Sequence, residues 1–307
     1  MKLSVIVPVF NEEENVHKVY MTIKKNLKDI KHEIIFVNDG SVDNTYKELD
    51  KIYKLGSGIK IITFSRNFGK DAAIYAGMKN ASGKYTAIID GDMQQNPKYL
   101  IEMYDFLEKN KEYDQVCMLP NKRKNVSLVK RIGGHLFYKL MNRLSTINFR
   151  EDASDFRMFN TSVKEAVLSL SENNRFSKGI FNWVGFNTKS MIYDVEPRLY
   201  GKTKFNFKRS VNYALIGIID YAENPLNIFA RLGLINLFGG FVLLIYLVIK
   251  SIILNELYMK FYLLLSVIFV LAGIIMLGIS FICLYLSRMQ VEIKKRPIYV
   301  IKKIQEK

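Results

Sequence analysis

Cysteine and histidine are nearly absent from the 307 residues, at two and three copies. Cys117 and Cys283 lie in regions of different composition, so no disulfide framework can be drawn, which fits a reducing compartment. His17, His32 and His135 are isolated, and no Cys/His spacing suits zinc, which leaves surface or helix positions for all three. No internal repeat or low-complexity segment occurs. Acid is scarce too: 29 Asp and Glu against 45 Lys and Arg leave a net charge of +16. Nucleic acid is one way to use such a charge, but the basic residues carry no interleaved aromatic pattern or known nucleic-acid motif, so no nucleic-acid partner is expected. An anionic membrane surface, at about 1 kcal/mol per basic residue near the headgroups, together with anionic substrates, accounts for it better.

Charge itself is missing from two stretches, Leu232–Ile249 with 18 residues and Phe261–Ser287 with 27. At a helical rise of about 1.5 Å per residue they reach roughly 27 and 40 Å, against a hydrocarbon core of about 30 Å. Buried core helices rarely stay uncharged that long, so two membrane spans are expected, about 232–250 and 261–287. The short loop between them, Lys250–Lys260, makes the pair a hairpin. After the second span, seven basic residues face two acidic ones, whereas the loop holds two lysines and one glutamate. The more basic side is expected to be cytoplasmic, which places both termini and the N-terminal domain there, on a multi-pass protein of the cell membrane. The opening MKLSVIVPVF meets polar NEEEN at once, too soon for a signal peptide. Four regions follow: a soluble domain over 1–205, amphipathic interfacial helices over 206–231 with a break near Pro225, the spans within 232–287, and a basic tail over 288–307.

The soluble part alternates strand and helix patterns, which predicts an α/β fold with a mostly parallel sheet. Strands are expected at Leu3–Val7, Glu33–Val37, Ile59–Phe64, Thr86–Ile89 and Gln115–Leu119. Helices are expected from about Glu13 to Leu27, from an Asp43 cap to about Leu55, over Asp71–Lys79, and from near Pro97. Polar signals fall after successive strands, at the sheet edge where ligands bind in open α/β folds.

Three of those signals bear chemistry. Asp90-Gly91-Asp92 offers two carboxylates to a hard divalent cation and its diphosphate ligand, and Gln94 and Gln95 could add a neutral oxygen. Asn38-Asp39-Gly40-Ser41 puts an acceptor where a base or ribose would sit, with a glycine that lets the backbone come close. Pro8-Val9-Phe10-Asn11-Glu12-Glu13 closes the first strand. Each alone reads equally well or better as an ordinary turn or acidic first helical turn. Their occurrence in order, each at a strand's carboxyl end, tips the balance.

Together with SRNFGKDAAIYAGMKNASG at 65–83, DASDFRMFN at 152–160, NRFSKGIFNWVGF at 174–186 and PRLYGKTKFNF at 197–207, they resemble the inverting GT-A glycosyltransferases of family 2. The nearer likeness is to the polyprenyl-phosphate branch, dolichol-phosphate mannose synthases and bactoprenol glucosyltransferases, over nearly the whole chain. That resemblance implies a Rossmann-like GT-A domain and inverting transfer of a sugar, glucose or N-acetylglucosamine, from a UDP-sugar to polyprenyl (undecaprenyl) phosphate. It implies that Pro8, Asn11, Glu13, Asp39 and Asp90 line the nucleotide pocket. Asp92, with Asp90 and Gln94, would hold Mg²⁺ or Mn²⁺, and Asp155 would be the catalytic carboxylate beside Asp92. Arg123, Arg131, Arg198 and Lys204 are the candidates for the acceptor phosphate and diphosphate, since arginine forks and lysine charges suit phosphate. Four positions depart from the family's pattern: Asn38 for an aspartate, Phe10 for a common tyrosine, Gln95 for an acidic residue or histidine, and Thr203 for serine.

Because a phosphate monoester is largely anionic at neutral pH, no general base is required, and Asp155 is as well suited to positioning a sugar hydroxyl or a basic residue. Trp183 is expected in the core. Alternatives are a processive polysaccharide synthase, whose Gln-x-x-Arg-Trp motif is missing, and a non-catalytic membrane scaffold or small transporter, for which charges within the spans are missing. A homo-oligomer stays open.

Overall fold

The computed structural model describes residues 2–121, 154–170, 172, 175–197, 238–239, 241–242, 245–246, 249–250 and 257–307. The chain divides into two compact units, Met1–Gly217 with Pro297–Lys307, and Ile218–Arg296.

The first unit is built on one eight-stranded sheet. In chain order its elements are β1 (Leu3–Val9), α1 (Val16–Asn26), β2 (His32–Asn38), α2 (Thr45–Leu55), β3 (Ile59–Phe64), α3 (Lys70–Lys79), β4 (Tyr85–Ile88), α4 (Lys98–Lys109) and β5 (Gln115–Pro120). Then come β6 (Arg157–Asn160), α5 (Thr161–Ser169), α6 (Ser177–Trp183), β7 (Thr188–Tyr193) and, at the end of the chain, β8 (Ile301–Glu306).

Strand order is β7-β5-β6-β4-β1-β2-β3-β8. β1 lies between β2 and β4, parallel to both, so the chain reverses its direction of winding beside β1. That reversal opens a crevice at the carboxyl ends of β1 and β4. β1 reads LSVIVPV with almost no alternation because helices cover both of its faces. Leu3, Val5 and Val7 join α1 residues Val16, Val19, Tyr20 and Ile23 in the main core, the α1 residues recurring at helical spacing.

β6 and β8 run antiparallel to their neighbours β4, β5 and β3. The five strands and four helices expected up to Leu119 are present, with ends shifted by a few residues. β6, β7 and β8 were not expected. β8 falls inside the segment read as a basic tail: it pairs with β3, from Lys60 opposite Glu306 to Phe64 opposite Ile301. Tyr299 stacks on Phe64 at 4.9 Å, and Lys60 meets the Glu306 carboxylate at 2.9 Å. The last eleven residues therefore add the final strand to the sheet, because pairing β3 satisfies backbone groups that an open edge would leave bare.

In the second unit one helix is described at length, α7 (Leu257–Ile293), with 37 residues. Its stretch Val270–Ile293 has a mean hydropathy of 2.4 with none of it buried, long and apolar enough to cross a membrane. It overlaps most of the second expected span. Of the first expected span only residues 238–239, 241–242, 245–246 and 249–250 are described, all helical. The expected interfacial segment 206–231 lies outside the described residues.

Candidate active site

The loops after β1 and β2 are stitched together. Asn11 adopts a left-handed backbone, φ 51°. Its amide donates to Ser41 Oγ at 2.9 Å and its side-chain oxygen accepts from the Val42 amide at 2.9 Å. The Glu12 amide donates to Thr45 Oγ1 at 2.8 Å, and Glu13 Oε2 accepts from the Asn44 amide at 2.8 Å. The N-cap position of α2 is Asn44, one residue later than the expected Asp43, and Asp43 Oδ1 accepts from the Thr45 amide at 3.0 Å just before the helix. Pro8 sits in β1 opposite Val37. Asn11 and Glu13, both expected around a nucleotide, thus also set the shape of the loops that would hold it.

Asp39 is buried, and its two oxygens accept from the Phe68 amide at 2.6 Å and the Gly69 amide at 3.0 Å. Burial pushes its pKa above the usual carboxylate range, against those two bonds and the charge of Arg66. Asp39 thereby fixes the loop that leads from β3 into α3. Gly40 next to it has φ 65°, and a Cβ there would lie 2.3 Å from the Arg66 carbonyl carbon. The glycine is required by contact as well as by conformation.

After β4 the chain turns through Asp90, Gly91 and Asp92, with Met93 at φ 61°. Gln95 holds this turn from both sides: its Oε1 accepts from the Asp90 amide at 2.8 Å and its Nε2 donates to Asp90 Oδ2 at 3.0 Å. Its amide oxygen is therefore engaged by the backbone of the turn. Asp92 Oδ1 accepts from the Gln94 amide at 3.1 Å.

Asp155 reaches the same place because β6 is antiparallel to β4: Arg157 pairs with Ile88, so the residue two before β6 lies beside the residue two after β4. Lys70, the first residue of α3, joins them. Its Nζ is 2.6 Å from Asp90 Oδ1 and 2.8 Å from Asp155 Oδ2. Among the described residues Asp155 Oδ1 is buried with no hydrogen-bond partner.

Burial works against the Asp155 charge, but Lys70, Lys178 and Arg157 outweigh it and hold its pKa well below the usual range. Burial likewise opposes the Lys70 charge, and Asp155 and Asp90 outweigh it, raising its pKa. Asp90 is raised, first by burial and then by the charges of Asp155 and Asp92, against the pull of Lys70. Asp71 is also raised, by burial and by Asp155, although its Oδ1 accepts from the Ser177 amide at the start of α6 at 3.0 Å.

The structure therefore gathers Asn11, Glu13, Asp39, Asp90, Asp92 and Asp155 along one edge of the sheet. Arg123, Arg131, Arg198 and Lys204 lie outside the described residues. Lys70 had no role in the sequence reading. Its signal was a cation on the first turn of a helix, the end that disfavours positive charge. Trp183, expected in the core, is 58% exposed at the end of α6, so its ring is not used for packing. His17 is exposed on α1 and His32 is partly buried at the start of β2.

No group of three or more His, Cys, Asp or Glu side chains arranged for a metal occurs among the described residues. The Asp90–Asp92 pair nonetheless fits a hard divalent cation, which commonly takes one or two carboxylates and completes its shell with phosphate and water. An ammonium group already sits on Asp90 Oδ1, so positive charge is what this corner accommodates.

A doubly wound sheet with an acidic strand-end crevice and an antiparallel strand beside it defines the GT-A class. Residues 4–168 match the family described as Glycosyl transferase family 2, and the chain belongs to it. It is 35% identical to the putative glycosyltransferase CsbB of Bacillus subtilis, over 98% of this chain and 91% of that one. It is 34% identical to the prophage bactoprenol glucosyl transferase homolog of Escherichia coli, over all of both chains. Among solved structures, glucosyl-3-phosphoglycerate synthase from Mycobacterium tuberculosis, crystallised with Mn²⁺, UDP and phosphoglyceric acid, has a TM-score of 0.52 at 16% identity, covering 71% of this chain and 76% of that one. That likeness speaks to the fold.

Proposed function

We propose that the chain transfers a glucosyl residue, or another single sugar, from a UDP-sugar to polyprenyl phosphate with inversion at the anomeric carbon. The observation that carries the reading is the convergence of Asp90 and Asp92, from the turn after β4, with Asp155, from the segment before β6, at one sheet edge. The full-length relatives whose names state bactoprenol glucosyl transfer support the acceptor and the sugar.

In this reading an acceptor phosphate oxygen attacks the anomeric carbon, the bond from that carbon to the diphosphate oxygen breaks, and UDP leaves. Asn11, Glu13 and Asp39 shape the nucleoside pocket. Asp90 and Asp92, with the Gln94 amide oxygen, would hold Mg²⁺ or Mn²⁺. When bound, that ion neutralises charge developing on the departing diphosphate. Asp155 stays ionised beside Lys70 and orients the sugar, since the attacking phosphate needs no base. Arg198 and Lys204, with Arg123 and Arg131, take the acceptor phosphate. The hairpin of 232–250 and 261–287 keeps the lipid's tail in the bilayer while 206–231 lies along its surface, with the 1–205 domain and both termini cytoplasmic.

The test is detergent-purified protein with undecaprenyl phosphate, a divalent cation and separate UDP-sugars, read by mass spectrometry of the lipid. A mass gain of one hexose or N-acetylhexosamine is expected. No product with any UDP-sugar, from protein that binds UDP, would sink the donor and acceptor assignment. Asp92→Asn should abolish transfer and leave folding intact; full activity in that variant would remove the metal assignment.

A further inference from the structure

We propose that Lys70 is a positioning residue that ties Asp90 and Asp155 into one ion-bridged unit and competes with the divalent cation for Asp90. The inference rests on the transfer reading above. Asp71, Asp90, Asp92 and Asp155 crowd one edge of the sheet, where two anionic substrates must also come. Lys178 and Arg157 act on Asp155, but Lys70 is the cation that the described contacts place on both Asp155 and Asp90.

Both oxygens of Asp90 are engaged, Oδ1 by Lys70 and Oδ2 by Gln95. A cation ligated by Asp90 must therefore share Oδ1 with the ammonium or displace it. Lys70 can yield without losing its partner. It keeps Asp155 Oδ2, its side chain is 40% exposed on a flexible stem, and Asp155 Oδ1 is itself an unmet acceptor among the described residues. Once Asp90 is given up, the ammonium remains on Asp155. There it offsets the repulsion between that carboxylate and an approaching phosphate. A lysine gains nothing from the first turn of α3, where the helix dipole opposes it, so its two carboxylate partners account for its place.

The test is Mn²⁺ binding to the full detergent-solubilised chain without donor, followed by the electron paramagnetic resonance of free Mn²⁺. Lys70→Met and Lys70→Gln should bind Mn²⁺ about tenfold tighter, the scale of removing one neighbouring unit charge from a divalent ion in a well-screened site. Their kcat for transfer should fall at saturating metal. Lys70→Arg, which keeps the charge, should hold Mn²⁺ within about twofold of wild type. A lysine that merely supported the fold would not tighten metal binding when removed. Unchanged or weaker Mn²⁺ binding in both neutral variants, each melting as a folded protein, overturns the proposal. Asp92→Asn separates the two levels. If it binds Mn²⁺ like wild type, the metal site and this proposal both fall; if it loses Mn²⁺ while the neutral Lys70 variants show no tightening, only this proposal falls.

Discussion

Replacing Asp39 by asparagine tests whether this buried carboxylate belongs first to the loop or first to the ligand. Its two oxygens each accept one backbone amide, Phe68 at 2.6 Å and Gly69 at 3.0 Å. Asparagine can match one of these with its carbonyl oxygen and must present its own N–H groups to the other. A hydrogen bond to a charged group contributes about 1.5–3 kcal/mol, and a buried donor left unmet costs a comparable amount. Part of that loss is returned, because burial makes the ionised carboxylate unfavourable here, as its raised pKa records. The balance is a loss of about 2 kcal/mol. For a domain of this size that corresponds to a fall in Tm of about 4–8 °C. Thermal unfolding of wild type and Asp39→Asn in the same detergent, with and without UDP, measures it. A Tm within 1 °C of wild type without UDP, combined with lost UDP binding, would refute the loop-fixing argument and leave Asp39 as a ligand contact alone.

Gly40→Ala should fail to accumulate as folded protein, since its Cβ would stand 2.3 Å from the Arg66 backbone at a left-handed φ; a normal melting curve would contradict this. Deleting residues 297–307 removes β8, the Tyr299–Phe64 stack and the Lys60–Glu306 pair, so the shortened chain should melt several degrees lower and aggregate through the bared β3 edge on size exclusion. An Asp155 pKa held below the usual range and a Lys70 pKa held above it mean that this pair contributes stability throughout neutral pH, and the Asp155 share is lost only as pH falls below about 4. The acid limb of kcat/KM should then follow the acceptor phosphate, near pH 6, and move upward with a phosphonate lipid of higher second pKa. An acid limb that ignores the acceptor's own pKa would contradict that assignment. Arg198→Ala should raise the KM for the lipid far more than it weakens UDP binding, checked by separate titration of each ligand.

The first five strands and four helices were legible because each is a strong local pattern: an apolar run of four to seven residues, then a helix with an apolar stripe, then a polar turn. β6, β7 and β8 were not. RMFN and TKSMIY are short or lack a clean alternation, and IKKIQE is half lysine and acid. These strands exist because a neighbour offers unpaired backbone groups. Lys303 and Gln305 find their partners in Tyr46 and Asp50 of α2, some 250 residues earlier in the chain. No local window contains that information. Trp183 misled for a related reason: its apolar character argued for burial, but its position at the last turn of α6 decides its exposure.

The candidate site divides along the same line. Asp39, Asp90 and Asp92 drew notice because a parallel strand delivers its following turn to the ligand edge, although only their recurrence in order and the family resemblance set them apart from ordinary turns. Asp155 could not, since it precedes its strand, and only the reversed direction of β6 turns a residue before a strand into one at that edge. Lys70 is then the geometric consequence. The Asp39 carboxylate pins Phe68 and Gly69, which sets where α3 begins, and α3 begins with the lysine that meets both Asp90 and Asp155. These four contacts form a chain that links the turn after β2 to the carboxylates after β4 and before β6. Asp39→Asn should accordingly loosen the Lys70 bridge as well as its own loop, and its Mn²⁺ affinity should move toward that of Lys70→Met. An Asp39→Asn protein with wild-type Mn²⁺ affinity and a lowered Tm would show that the two ends of that chain are mechanically independent.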